Sequence, residues 1–357
     1  MASIGISNLP YFLQFVSLFF CSAVAVGFLT PIFRNLAIRL DILDIPASSH
    51  KTHREPTPYL GGVAIMLGLI LVVVVATLIF DSSSLILVFA VLGPALLLGF
   101  VGLIDDIYNL SPWPRFIAQT CVGIVVATLL IQTKTVGSPT GSRIIDVLIT
   151  IIFIVGLSNS INFFDNVDGG ASGTIAISSF TLSLLAFQSG QIYIAAISCV
   201  MAGATIGFLR WNRSPARIYM GDAGSLFLGC LIASTLVRFD PNPISPGSSF
   251  FVPLFLVAIP ILDTSVVVTS RISRGVSPFQ GGKDHLSHRL IRTGNTKVKS
   301  VVLLWFLTAS FSFIAVLLSF APFYYERIVV GVGVLLWIIL YMWFITKPAQ
   351  DTKLNAY

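Results

Sequence analysis

Charge is what this sequence has least of. Only 10% of its 357 residues are charged, against about 25% in an ordinary soluble domain, while 55% are hydrophobic, which excludes water as the main solvent. Cysteine is scarce too. The four cysteines, Cys21, Cys121, Cys199 and Cys230, fall inside apolar runs with no CxxC spacing, which excludes a disulfide framework and a zinc site. There is no internal repeat, soluble segment or low-complexity linker, so one domain over residues 1–357 is expected to carry the activity. The net charge of +6 comes from bases scattered over short loops without aromatic interleaving. That is the pattern of topogenic charge, not of a nucleic-acid surface. Met1 to Pro10 lacks the basic region of a cleavable signal, so the first apolar run is expected to stay as an anchor.

What the sequence has in abundance is apolar runs long enough to cross a bilayer as helices. Eleven spans are predicted, at 10–33, 60–80, 85–104, 115–133, 145–164, 171–188, 192–209, 223–239, 250–270, 300–320 and 327–346. The expected fold is therefore all-α, a polytopic transmembrane helical bundle with its termini on opposite sides. Alternating the loops puts 17 of the 21 Lys and Arg on one face and leaves only Lys134, Arg143, Arg238 and Arg327 opposite. The positive-inside rule then sets the N-terminus outside and the C-terminus in the cytoplasm. Acids are indifferent to that rule, yet Asp105, Asp106, Asp165, Asp168, Asp222 and Asp284 collect on the same inner face. His50, His53, His285 and His288 join them. A one-sided gathering of carboxylates and imidazoles at helix ends is the chief functional signal. A transporter or flippase is the rival class, but it calls for charges along a path through the bilayer, and only Asp263 lies deep.

Asp105-Asp106 closes the third span in GFVGLIDDIYNL. Two adjacent carboxylates at a membrane border repel each other, so unless they are a solvated helix end a cation must offset them or one must hold a proton, and magnesium suits them because it takes oxygen ligands together with substrate phosphates. In NSINFFDNVDGGASG, Asn162, Asp165 and Asp168 are spaced three apart and share one face if the helix continues. Gly169, Gly170 and Gly173 then permit close backbone approach before the next helix start. A DxxDG start also occurs in CDP-alcohol phosphotransferases, but those need an Arg after the small residue, where this chain has Ser172, and two further Asp downstream. In RWNRSPARIYMGDAGSLFLG, glycines flank Asp222, and Arg210, Arg213 and Arg217 either neutralise phosphate or serve as topogenic charge. RISRGVSPFQGGKDHLSHRLIRTG brings His285 and His288 among Arg271, Arg274, Lys283 and Arg289, a set suited to anion binding or proton transfer and poor for zinc. Asp263, inside the ninth span, reads as a buried partner for a base or a packing group.

Together these segments resemble the polyprenyl-phosphate N-acetylhexosamine-1-phosphate transferase family. PTPYLGGVAI, DDIYNLSPWPRFIAQ, NFFDNVDGG, NRSPARIYMGDAGSLFLG and SPFQGGKDHLSHRL match its motifs in order over about residues 35–295. The branch that starts glycans with GlcNAc 1-phosphate is nearer than phospho-MurNAc-pentapeptide translocase, which usually has three consecutive histidines where this chain has His285, Leu286, Ser287 and His288. Ser287 also departs from the nearer branch, which commonly has a further His there.

The resemblance implies transfer of a sugar 1-phosphate from a UDP-N-acetylhexosamine to undecaprenyl or another polyprenyl phosphate at the inner face of a plasma membrane, with Mg2+ or Mn2+ as cofactor. It places Asp105, Asp106, Asp165, Asp222 and His288 in catalysis, Asp105 as the base for the lipid phosphate, and Asp106 and Asp222 on the metal. It assigns Asn162, Asp168, Gly169, Arg115, His285, Arg271 and Arg289 to substrate. One-step and two-step transfer both fit the sequence, and homodimerisation through the spans is left open.

Overall fold

The computed structural model describes residues 10–44, 56–80, 85–133, 140, 142–241, 246–278 and 281–349. His50 and His53 lie outside these residues. The described chain is helical apart from one two-residue hairpin: α1 (Tyr11–Arg39), β1 (Leu43–Asp44), β2 (Thr57–Pro58), α2 (Gly61–Phe80), α3 (Leu85–Tyr108), α4 (Pro112–Thr133), α5 (Arg143–Phe164), α6 (Gly170–Gln188), α7 (Ile192–Asn212), α8 (Gly221–Arg238), α9 (Pro246–Leu256), α10 (Ala258–Ser273), α11 (Leu286–Arg292), α12 (Lys297–Phe320) and α13 (Phe323–Ile345). In hydrocarbon every backbone polar group has to be satisfied within the protein, and continuous helices do this without partners.

Among the described residues eight helices are long and apolar enough to cross a membrane, or nine if α9 and α10 make one broken span. These make the chain a multi-pass membrane protein. The predicted 250–270 run is not one straight helix, since α9 and α10 meet at a 75° bend. Pro260, in the first turn of α10, has no N–H to bond back into α9, and a helix start is the position that tolerates such a residue best.

α8 is the axis of the bundle. All of its residues except Asp222 and Val237 are buried, and α3, α5 and α2 pack around it. It tolerates Gly224, Gly229, Ser225 and Ser234 because it faces other helices and not lipid, and small residues let backbones approach. A β-carbon on Gly62 would lie 2.2 Å from the Gly224 backbone nitrogen, and one on Gly102 2.3 Å from the Asp222 carbonyl oxygen. The start of α8 is thus held in backbone contact with α2 and α3. The hairpin pairs Leu43 with Pro58 and Asp44 with Thr57. The strand that follows docks on the approach to α8, with Tyr219 N donating to Pro58 O (2.9 Å), Gly61 N to Tyr219 O (3.1 Å) and Gly62 N to Met220 O (2.9 Å). In this way PTPYLGG and RIYMGD, whose tyrosines Tyr59 and Tyr219 are 160 positions apart in the chain, form one local structure.

Candidate active site

Asp105, Asp106 and Asp222 converge where α3 meets the first turn of α8. Gly221 enters α8 with φ +68°, and a β-carbon there would lie 2.5 Å from Asp106 Oδ2, so only glycine permits the approach. Asp106 caps the helix: Oδ1 accepts the Asp222 N–H at 2.8 Å and Oδ2 the Ala223 N–H at 3.0 Å. Free amides and the helix dipole both favour a carboxylate at this place. Arg115, from the first turn of α4, spans the other two acids, its Nη1 lying 2.7 Å from Asp105 Oδ2 and 2.5 Å from Asp222 Oδ2. Asp105 Oδ1 also accepts the Leu110 N–H at 2.7 Å. From α5, Asn162 Nδ2 donates to Asp222 Oδ1 and to Ser225 Oγ, each at 2.9 Å.

A cavity of about 310 Å³ opens beside this cluster, and Asn162, Asp165, Asp168, Asp222 and His288 are in its wall. Asp165 follows the last turn of α5, outside the helix. Burial, then the charges of Asp222 and Asp168, push its carboxyl up to about 7. Asp168 Oδ2 accepts the Ala216 N–H at 3.3 Å. Gly169 takes a left-handed φ of 76° as the residue before α6. Its N–H goes to Asn212 Oδ1 at 3.0 Å, which also accepts from Ser172 Oγ at 2.8 Å.

The histidine loop closes one side. His285 Nδ1 lies 2.7 Å from Asp263 Oδ2, while Asp263 Oδ1 accepts the Leu286 N–H at 2.7 Å. Asp263 is fully buried, so its two contacts fix the imidazole and the start of α11 together. The His288 ring stands 5.8 Å from that of His285, and its Nδ1 is buried with no hydrogen-bond partner among the described residues. Burial, then His285 and the cations Arg292 and Lys283, lower its pKa to about 3. It is a neutral imidazole at the cavity wall. Ser287 Oγ donates to Asn166 Oδ1, which ties α11 to the segment carrying Asp165 and Asp168.

Two arginines read as substrate contacts are engaged inside the fold. Arg271 holds Asp284 through both Nε (2.9 Å) and Nη2 (2.8 Å). Burial would raise the Asp284 carboxyl, but hydrogen bonds and charge from Arg271 bring it below its usual value. Arg289 donates to the carbonyl oxygens of Asp284 (2.8 Å), Phe344 (3.0 Å) and Lys347 (2.6 Å). Both arginines shape the histidine loop.

Asp44, Tyr59 and Tyr219 also line the cavity, and sequence reasoning passed over them. Burial, then Asp44 through its charge and a hydrogen bond, hold the Tyr59 hydroxyl protonated far above its usual value. Burial and the charge of Asp168 push Tyr219 to about 12. The available signal was the position of Tyr59 in PTPYLGGVAI and of Tyr219 in NRSPARIYMGDAGSLFLG, each inside a segment that carried the resemblance.

The donor set around Asp222 is all oxygen, which suits magnesium. Among the described residues no group of three or more His, Cys, Asp or Glu is placed to hold a metal ion by itself, but magnesium commonly takes one or two carboxylates and completes its shell with phosphate and water. The constellation therefore fits a hard cation brought together with a phosphorylated substrate.

The profile of glycosyl transferase family 4 matches residues 88–240, the stretch that supplies every carboxylate around Arg115. A Bacillus subtilis protein described as a probable undecaprenyl-phosphate N-acetylglucosaminyl 1-phosphate transferase is 30% identical over 89% of this chain and 88% of its own. The chain belongs to glycosyl transferase family 4. A decaprenyl-phosphate N-acetylglucosaminephosphotransferase of Mycolicibacterium smegmatis is 29% identical over 89% of this chain and 86% of its own. An undecaprenyl-phosphate alpha-N-acetylglucosaminyl 1-phosphate transferase of Escherichia coli is 25% identical over 81% and 80%. As a family 4 member the chain is a transferase, and the cluster at the head of α8 is where its chemistry is to be sought.

Proposed function

We propose that this enzyme transfers GlcNAc 1-phosphate from UDP-GlcNAc to undecaprenyl phosphate or a similar polyprenyl phosphate, releasing UMP, at the cytoplasmic face of a plasma membrane. The observation that carries this reading is the placement of Asp105, Asp106 and Asp222 around one helix start, beside a cavity walled by Asn162, Asp165, Asp168 and His288. A soluble anionic donor and a lipid anchored by its phosphate can meet only at the interface, and the excess of inner-face Lys and Arg puts that interface in the cytoplasm with the C-terminus.

In the reaction an oxygen of the lipid phosphate attacks the phosphorus bonded to the sugar. A new P–O bond forms as the bond to UMP breaks, and UMP leaves with the electron pair. Asp105 takes the remaining proton of the acceptor phosphate. Asp106 and Asp222 would hold Mg2+, or Mn2+ in its place, which supplies charge neutralisation to the diphosphate. Arg115 offsets the acids before the substrates arrive and turns to phosphate when they do. Asn162, Asp168 and the Gly169 backbone line the nucleotide side, and neutral His288 offers its unpaired nitrogen to the diphosphate or sugar. Phosphoryl transfer needs mainly positioning and electrostatic stabilisation, which this arrangement of fixed charges provides.

The deciding experiment supplies purified enzyme and undecaprenyl phosphate with UDP-GlcNAc or UDP-MurNAc-pentapeptide and follows UMP release. Turnover with the first donor alone is expected; turnover with the second alone would make the chain a pentapeptide translocase. Activity should stop with excess chelator and return with Mg2+. Asp222→Asn and Asp105→Asn should each lower turnover by at least 10²–10³-fold, on the order of the loss when one transition-state contact is removed, with the protein still inserted and folded.

A further inference from the structure

Across α7 from the catalytic cavity lies a second concave surface that the reaction does not use. α1, α7 and α12 enclose a groove of about 840 Å³, apolar along Val24, Phe28, Ile206 and Leu209. Its origin is local. Gly203 and Gly207 bring α7 onto α1, since β-carbons there would meet the Phe19 and Ala23 carbonyl oxygens at 2.2 Å. One turn on, Gly27 has no such neighbour, and the two helices are bridged only by Trp211 Nε1 donating to Gly27 O at 3.0 Å.

At one end the groove continues, through Arg210, Trp211 and Arg213, into a hollow of about 520 Å³ completed by Ser214, Pro215 and Arg217. All three arginines are exposed. Among the described residues none of them has a carboxylate partner. The nearby Asp168 faces the catalytic cavity and accepts the Ala216 N–H. A long apolar slot ending in three unneutralised cations is the complement of an amphiphile with an anionic head.

We propose that this groove is a binding site for an anionic glycerophospholipid of the surrounding bilayer, its phosphate among Arg210, Arg213 and Arg217 and an acyl chain along Val24, Phe28 and Ile206. Basic hollows between spans at a membrane face bind such headgroups, each cation being worth about 1 kcal/mol. The occupant is not the acceptor lipid, whose phosphate must reach Asp105 and Arg115 on α3 and α4; the groove shares no lining residue with the catalytic cavity. It is nonetheless wired to it. Trp211 and Arg213 line the groove while Asn212 between them holds the Gly169 N–H, and Trp305 of the groove donates to Gly170 O at 3.3 Å. A lipid seated here steadies the loop that carries Asp168. The site neither rests on the transfer reaction nor tests it.

Native mass spectrometry of the full chain, with phosphatidylglycerol or phosphatidylcholine added, reads the site directly. Wild type should retain phosphatidylglycerol in preference and gain thermal stability from it. The double variant Arg210→Gln/Arg213→Gln should lose retention by roughly thirty-fold, the effect of two cations near the surface. Gly27→Leu should also displace the lipid, because a β-carbon there meets only the Gly207 carbonyl oxygen at 3.8 Å and the side chain fills the slot without disturbing the fold. Equal retention of both phospholipids, or retention unchanged in the variants, would overturn the proposal. So would preferential retention of undecaprenyl phosphate, which gives the groove to the acceptor, or a lipid-free dimer that Gly27→Leu disrupts, which gives it to a second copy.

Discussion

At His288 a stability argument and the proposed chemistry meet in one side chain. Its folded pKa of about 3 lies below the ordinary 6.5. The folded state therefore gains from the neutral ring at and above pH 6.5, and that gain is lost as pH falls through the window from 6.5 to 3. His288→Asn should flatten the acid limb of thermal unfolding in that window, and the check is melting temperature against pH in detergent for the two proteins. His288→Ala should also impair transfer, since the imidazole is in the cavity wall with a free nitrogen. The aspartates of this site were legible in the sequence because charge is costly beside lipid, so each one flanked by glycines or paired with another stands out. Asp44, Tyr59 and Tyr219 gave no comparable sign. A tyrosine near a span end usually marks only the interface, and nothing local says that residue 59 will meet residue 219. Arg271 and Arg289 err in the other direction: cations beside histidines suggest anion binding, yet one satisfies Asp284 and the other a set of carbonyl oxygens.

At the scale of elements, the crossing of α3 and α8 sets the geometry of the acids. A β-carbon on Gly102 would lie 2.3 Å from the Asp222 carbonyl oxygen, so the two helices approach through backbone where the carboxylates emerge. Gly102→Val should force them apart, destabilise the protein by about 1–3 kcal/mol and reduce turnover beyond what the lost stability explains. Comparing melting temperature with kcat in that variant separates the two effects; a stable variant with full kcat would remove the crossing from the account. The apolar runs marked the helices well, because a bilayer demands length and hydropathy together. They could not mark the α9–α10 bend, since a window average is blind to one proline. Nor do they show that α8 is the central helix: its small and polar residues lower its hydropathy while raising its capacity to pack.

At the scale of the molecule, the site is assembled from both ends of the chain. The hairpin after α1 supplies Asp44, α3 to α8 supply the acids, and α11 supplies the histidines. The charge pattern of the loops predicts that one side of the membrane holds them. What links the last piece to the rest is Arg289, whose guanidinium is bonded to the carbonyl oxygens that end α13. A chain stopped after Pro322 keeps all five motif segments, yet it should insert and fail to transfer, which UMP release on the reconstituted truncation would show; full turnover would make the anchorage irrelevant. The histidine loop, anchored on the carbonyl oxygens at the end of α13, is expected to settle only after that helix has packed, which would make assembly of the proposed site a late event in folding.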